Sequence, residues 1–253
     1  MSAAARLSGV NPLAALASSV LIAVPLVLTL DWVSASVALV LVLMLLPVVR
    51  MPARAFWRRS AAIWIAAPLA GVTIALYGQP SGTSYFRFAL ADITTGSLAL
   101  ALATTLRILA IGLPAVILFT GIDASALADG LAQLLHLPAR FVLGALAAFR
   151  LVALIAEDWR SLGRARRARG VQSTSLRRFT GQAFGLLVLS LRRATKLATA
   201  MEARAFGAPG KRTWARVSLF GWREWMLVAT SALVVAIAVG VSAATGHWSF
   251  VGA

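Results

Sequence analysis

Five long apolar runs constrain this chain more than any other feature. A segment needs roughly 17 to 25 predominantly apolar residues to cross a hydrocarbon core as a helix, and residues 13–30, 33–49, 61–77, 97–120 and 225–244 qualify, the first three at the short end. Backbone in lipid must satisfy its own hydrogen bonds, and helices of this length do so internally. Five transmembrane helices are therefore predicted. Pro25, Pro47, Pro68 and Pro114 fall inside four of the runs. In bundled membrane helices neighbours re-satisfy the carbonyl that a proline frees, so these prolines predict kinks and not loops.

Composition closes off other classes. Of the 253 residues 60% are apolar and 13% charged, with mean hydropathy +0.86, more apolar than a soluble globular domain can cover with polar surface. The 24 Lys and Arg against 8 Asp and Glu give +16. Such a charge suggests a nucleic-acid binder, but those proteins do not carry repeated apolar runs of this length. The lack of cysteine excludes disulfides, thiolate metal sites and cysteine nucleophiles, and His136 and His247 are too far apart for the usual zinc spacings. No bound cofactor and no protein-held metal are expected.

Lys and Arg in short connections set orientation. The 49–61 connection carries Arg50, Arg54, Arg58 and Arg59, the Asp31-Trp32 turn carries none, and the 78–96 loop carries only Arg87. The basic side is cytoplasmic, so the N-terminus and residues 121–221 are expected inside, and the Asp31 turn, the 78–96 loop and the 247–253 tail outside. The start of the chain has only Arg6 and a second apolar run follows the first within three residues, which favours an uncleaved first hairpin over a signal peptide. The expected organisation is four spans in 1–120, a cytoplasmic region in 121–221 and a last span with a short tail in 222–253.

The 121–221 region holds sixteen of the 24 Lys and Arg and five of the eight acids. Asp123 predicts an N-cap for a helix over 124–137, Pro138 punctuates, and 139–169 then runs without proline as a second helix about 46 Å long. Its first half, 141–156, is nearly all apolar apart from Arg150; its second half carries Arg160, Arg164, Arg166, Arg167 and Arg169. A helix of the same design is predicted from 173–175 to about Phe206, apolar over 184–191, with Arg192, Arg193, Lys196 and Arg204 following, and Gly207-Ala208-Pro209-Gly210 ending it. Both helices finish at an Ala-Arg-small tripeptide, Ala168-Arg169-Gly170 and Ala203-Arg204-Ala205. For most of these arginines positive-inside topology and contact with anionic lipid are sufficient explanation. Arg169 and Arg204 differ, because the small residues beside them let another backbone approach while the guanidinium reaches a carboxylate or a helix C-terminus in a partner. A charge-assisted hydrogen bond of that kind contributes roughly 1.5 to 3 kcal/mol.

These residues resemble the transmembrane T component of energy-coupling factor (ECF) transporters, whose two cytoplasmic coupling helices each end in an Ala-Arg-Gly-type motif. The second motif lies in Met201-Glu202-Ala203-Arg204-Ala205-Phe206-Gly207, and Asn11-Pro12, Leu137-Pro138-Ala139-Arg140 and Phe149-Arg150 also look like their counterparts. Ala205 stands where that family usually has glycine, which adds a methyl group at a close backbone approach. The resemblance implies an all-α polytopic protein of a prokaryotic plasma membrane, with about five transmembrane helices plus two long cytoplasmic coupling helices. It implies a non-catalytic scaffold between two ATP-hydrolysing ATPase subunits and a small membrane substrate-binding S component, importing a vitamin or a transition-metal ion. ATPase docking then falls to Ala168, Arg169, Gly170, Ala203, Arg204 and Ala205, with Arg166 and Arg167 as supporting basic contacts.

Other classes fare worse. A phosphate loop at Gly207 to Lys211 fails, because G-x-x-x-x-G-K-[ST] would need glycine at Ala205 and Ser or Thr at Arg212. A membrane enzyme would cluster acids, whereas only Glu157 and Asp158 are adjacent, and bridges from that pair to Arg160 are expected. Nucleic-acid binding would call for interleaved aromatics, and the 157–178 stretch offers Trp159 alone. A self-contained channel or secondary transporter is the alternative function, carried by Arg107 near the middle of 97–120. A central arginine costs on the order of 2.5 to 3.5 kcal/mol on insertion scales, so it faces protein or a wet cavity. No acid in the neighbouring spans is an obvious partner for it.

Overall fold

The computed structural model describes residues 10–29, 31–49, 52–78, 81–88, 91–120, 122–170, 176–208 and 213–246. Arg6, Arg50, residues 173–175, Pro209 to Arg212 and the 247–253 tail fall outside them. The chain divides into two compact units, Met1–Gly130 with Ser218–Ala253, and Leu131–Val217.

The first unit opens with α1 (Pro12–Leu28), started by the Asn11 side chain, which accepts the Leu13 amide at 3.0 Å, and by Pro12, whose fixed φ suits a first helical position. α2 (Trp32–Val49) and α3 (Ala53–Tyr77) follow. The 49–61 segment, expected as a connection, is mostly helix: Pro52 opens α3, and Arg54, Arg58 and Arg59 ride its first two turns. Basic side chains interrupt an apolar run without interrupting a helix, because arginine is a good helix former and can extend its charge toward water.

The 78–96 segment, expected as a loop, also holds regular structure. It contains an antiparallel hairpin of β1 (Ser84–Phe88) and β2 (Ala91–Thr94), pairing Phe86 with Ile93, Arg87 with Asp92 and Phe88 with Ala91. Thr94 then caps α4 (Thr95–Leu118) by a reciprocal exchange with Ser97, the Thr94 hydroxyl accepting the Ser97 amide and the Ser97 hydroxyl accepting the Thr94 amide. α5 (Ala124–Gln133) leads toward the second unit, and α8 (Trp222–Ala244) returns to the first.

Ile22, Leu26, Leu109, Leu113 and Ile117 form the centre of this unit, with Ala38, Ala67, Ala110 and Ala238 fully buried among them. Small residues at helix contacts are what membrane packing demands, since without a hydrophobic drive between helices the gain comes from close approach. The tightest seam is α3 on α4, where a Cβ on Gly71 would collide with Thr105 Oγ1 and lie 3.3 Å from the Ala101 carbonyl. Met44, Ile65 and Leu69 point outward, 69%, 70% and 65% exposed, as side chains facing lipid do.

Two polar clusters tie the unit together. At one end Asn11 Nδ2 donates to Ser218 Oγ (2.8 Å) and to the Leu219 carbonyl, while the buried Glu224 carboxylate accepts the Asn11 and Gly221 amides at 3.0 and 2.9 Å. At the other, buried Asp31 accepts the Ser34 amide (2.7 Å) and the Ser242 hydroxyl (2.5 Å), and the Arg107 guanidinium donates to the Thr29 carbonyl at the end of α1. Asp31 also acts on Arg107 by its charge. Arg107 therefore has a carbonyl partner at the end of α1, with the Asp31 charge near it but no ion pair between the two. Burial alone would raise the Asp31 carboxyl, but the hydrogen bonds from Ser242 and Ser34 outweigh it and hold the group below its ordinary value.

In the second unit α5 ends at Gln133, four residues before the expected Leu137. His136 takes a left-handed φ of 53° and the Leu137 amide closes on the Leu131 carbonyl, which finishes the turn before Pro138. α6 (Ala139–Ala168) then runs 30 residues and α7 (Leu176–Ala203) 28. No residue of α6 is buried: Phe141, Phe149 and Val152 are 63–65% exposed. Among the described residues α3, α4, α6 and α8 are long and apolar enough to cross a membrane, whereas α1 and the apolar part of α2, Trp32–Leu45, are shorter. The architecture is all-α and polytopic, with the small hairpin as its strand pair.

Candidate functional site: the ends of two long helices

Among the described residues, ring packing, a hydrogen bond and an ion pair join α6 to α7. Trp159 and Phe179 meet edge to face with ring centroids 5.5 Å apart, and buried Gln182 donates from Nε2 to the Trp159 carbonyl at 2.8 Å. Asp158 holds Arg193 by two bonds, 2.5 Å to Nη1 and 3.4 Å to Nη2. The expected bridge from the Glu157-Asp158 pair to Arg160 is thus replaced at Asp158 by a pairing across helices. A planar guanidinium matches a carboxylate in two places only when both are held, and the facing helix holds it better than a neighbour on the same turn.

The helix ends repeat one geometry. In α6 Arg169 is the C-cap and Gly170 has φ +74°, its amide returning to the Arg167 carbonyl at 3.0 Å. In α7 Ala205 has φ +54°, with its amide on the Glu202 carbonyl at 2.9 Å and the Phe206 amide on the Met201 carbonyl at 3.0 Å. The second set is a complete Schellman motif and the first shows its inner bond. Arg169 and Arg204 occupy the same position, one residue before the left-handed one. Ala168, Arg169, Gly170, Ala203, Arg204 and Ala205 are all exposed. Among the described residues neither arginine side chain has a hydrogen bond or ion pair, and none joins one helix end to the other. A positive charge there complements the negative end of the helix dipole.

The glycine requirement has its cause in this turn. A Cβ on Gly170 would meet nothing within 4 Å, so it is the left-handed backbone and not a neighbour that selects glycine there. Ala205 carries its methyl group in the same conformation, a strained one for an L-residue.

The supporting residues Arg166 and Arg167 stand in the last turn of α6, just before Arg169. Arg166 lies over α7, since a Cβ on Gly181 would sit 2.9 Å from its Nη2, whereas Gly185, its partner in a Gly-x-x-x-Gly spacing, meets nothing within 4 Å. Arg167 lines a cleft with Trp159, Arg160, Gly163, Arg164 and Gln182. No local pattern announces Gln182 or the Asp158 to Arg193 pair, whose members are 35 residues apart. Glu224 was readable as the third residue of a helix opened by Gly221, a place where acids cap.

The family model for the cobalt transport protein CbiQ matches residues 4–214, a stretch that takes in α1 to α7 and both helix ends. The chain belongs to the CbiQ family. This is the family of ECF T components, and it makes the protein a membrane-embedded component of a transport system, in agreement with its apolar helices. No curated protein matches the CbiQ-family chain described here.

Proposed function

We propose that this protein is the transmembrane coupling scaffold of an ATP-driven ECF importer. It joins two ATPase subunits to a small membrane S component, and movement driven by nucleotide passes through α6 and α7. The observation that carries this reading is the repeated helix end: an exposed arginine at the C-cap, followed by a left-handed residue, in two helices otherwise tied to each other by Trp159, Gln182 and Asp158. Two such tips on one helix pair make a two-point contact. Arg169 and Arg204 each reach a carboxylate or a helix C-terminus of one ATPase subunit.

The rest of the molecule is consistent with that role. By the positive-inside rule the arginines at the start of α3, and likewise those at the ends of α6 and α7, favour a cytoplasmic location, and the exposed apolar bodies of α6 and α7 form the platform for the S component. The family's description favours a transition-metal ion as cargo. The channel alternative drew on Arg107, and that side chain is engaged by the α1 to α2 turn.

The test is purification of the tagged protein from native membranes in mild detergent, with mass spectrometry of co-purifying subunits and an ATPase assay. ATPase subunits and a small apolar membrane protein are expected, with ATPase association falling roughly ten- to a hundredfold in Arg169→Ala or Arg204→Ala and further in the double variant. Full assembly and transport by both single variants would refute the docking roles. Flux through the chain alone in liposomes would restore the channel reading.

A further inference from the structure

Arg160, Arg164 and Arg167 follow one another at helical spacing, so they share a face of α6. That face lines an open cleft of about 340 Å³ together with Trp159, Gly163 and, from α7, Gln182. Among the described residues none of the three arginines has an ion pair: the nearby Asp158 is held by Arg193, and Glu157 is exposed. Like charges stacked three and four residues apart repel. A cleft that gathers three unpaired guanidinium groups around an indole and a carboxamide is complementary to one compact anion.

The geometry points to a headgroup site for one anionic phospholipid, in which Arg160, Arg164 and Arg167 hold the phosphate. The surroundings favour a lipid over free phosphate. Phe149, 65% exposed, lies eleven residues before Arg160 on the same face of the helix, a rise of about 17 Å, where acyl chains would run. Arginine and tryptophan next to an exposed apolar stretch is the arrangement found at the headgroup level of a bilayer. Gly163 keeps the cleft open, because a Cβ there would already be in contact with Gln182 Nε2 at 3.5 Å. The assignment rests on α6 meeting the membrane; it takes Arg167 as a lipid contact in place of a supporting ATPase contact and leaves the docking roles of Arg169 and Arg204 untouched.

The full chain is reconstituted in vesicles of phosphatidylcholine with phosphatidylglycerol, extracted in mild detergent, and its retained lipid measured by native mass spectrometry. Phosphatidylglycerol should be retained selectively by the parent. The Arg160→Gln/Arg164→Gln/Arg167→Gln variant should lose affinity on the order of a hundredfold, from about fivefold per arginine. Arg54→Gln/Arg58→Gln/Arg59→Gln, which removes equal charge elsewhere, should stay within a few-fold of the parent. Gly163→Leu leaves the charge untouched, favours the helix and fills the cleft, so it should release the lipid while the chain stays folded by circular dichroism. Equal losses in the two triple variants would reduce the site to a general field and overturn the proposal. So would retention by Gly163→Leu, or displacement of the lipid by inorganic phosphate at the lipid's own effective concentration. ATPase association measured on the same variants separates the readings: its loss with lipid retention intact would make the cleft a protein interface.

Discussion

Gly170 and Ala205 hold equivalent positions with opposite suitability, and exchanging their residue types should move the two helix ends in opposite directions. A left-handed backbone costs an L-residue roughly 1 to 2 kcal/mol, and replacing alanine by glycine gives back about 0.4 to 1 kcal/mol through the freer unfolded chain. Ala205→Gly should therefore stabilise the end of α7 by about 0.5 to 1 kcal/mol. Gly170→Ala introduces no collision, since its Cβ would meet nothing within 4 Å, and should destabilise the end of α6 by a similar amount. The readout is local hydrogen exchange at the amides that close the turns, Gly170 onto Arg167, Ala205 onto Glu202 and Phe206 onto Met201. Protection of Ala205 and Phe206 should rise about two- to fivefold in Ala205→Gly and that of Gly170 fall as much in Gly170→Ala. Changes of the same sign at both ends, or none, would refute the argument that the left-handed turn selects the residue.

Gly71→Ala should destabilise the first unit by about 1 to 3 kcal/mol, because its Cβ meets Thr105 Oγ1, which is itself engaged with the Ala101 carbonyl at 2.7 Å; thermal unfolding in detergent checks it, and Thr105→Ala in the same chain should recover part of the loss. Asp31 is held below its ordinary pKa, so its contribution is present at neutral pH and is lost as pH falls through the folded value. Asp31→Asn should accordingly flatten the acid limb of the melting temperature, and an acid limb as steep as the parent's would remove Asp31 from the account.

Much of the fold is legible because lipid imposes a length on each span and Pro or Gly punctuates each end. Pro138 and Gly170 bracket α6 almost as the sequence reading has it, and α4 and α8 differ from their apolar runs by two or three residues. Where the reading failed, apolarity was standing in for backbone state. Arg54, Arg58 and Arg59 hid two turns of α3, and 84–94 is too short and too near the spans for its alternation to stand out. At the candidate site the arginines were readable from the repeated tripeptide, but the φ of Ala205 was not, since it is fixed by how a helix terminates and not by the residue present. The pairings of Arg193 with Asp158 and of Arg107 with the α1 to α2 turn depend on which helix faces which, and no local pattern carries that.

The 30 residues of α6 contain no proline and form one unbroken helix, a rod of about 45 Å. A rod of that length is a mechanical amplifier. A tilt of about 10° at its basic tip sweeps the opposite end through about 8 Å, more than a full helical turn of 5.4 Å. Small rotations at Arg169 are thereby enough to change which apolar side chains near Phe141 meet a neighbour, without any bond within the helix being broken.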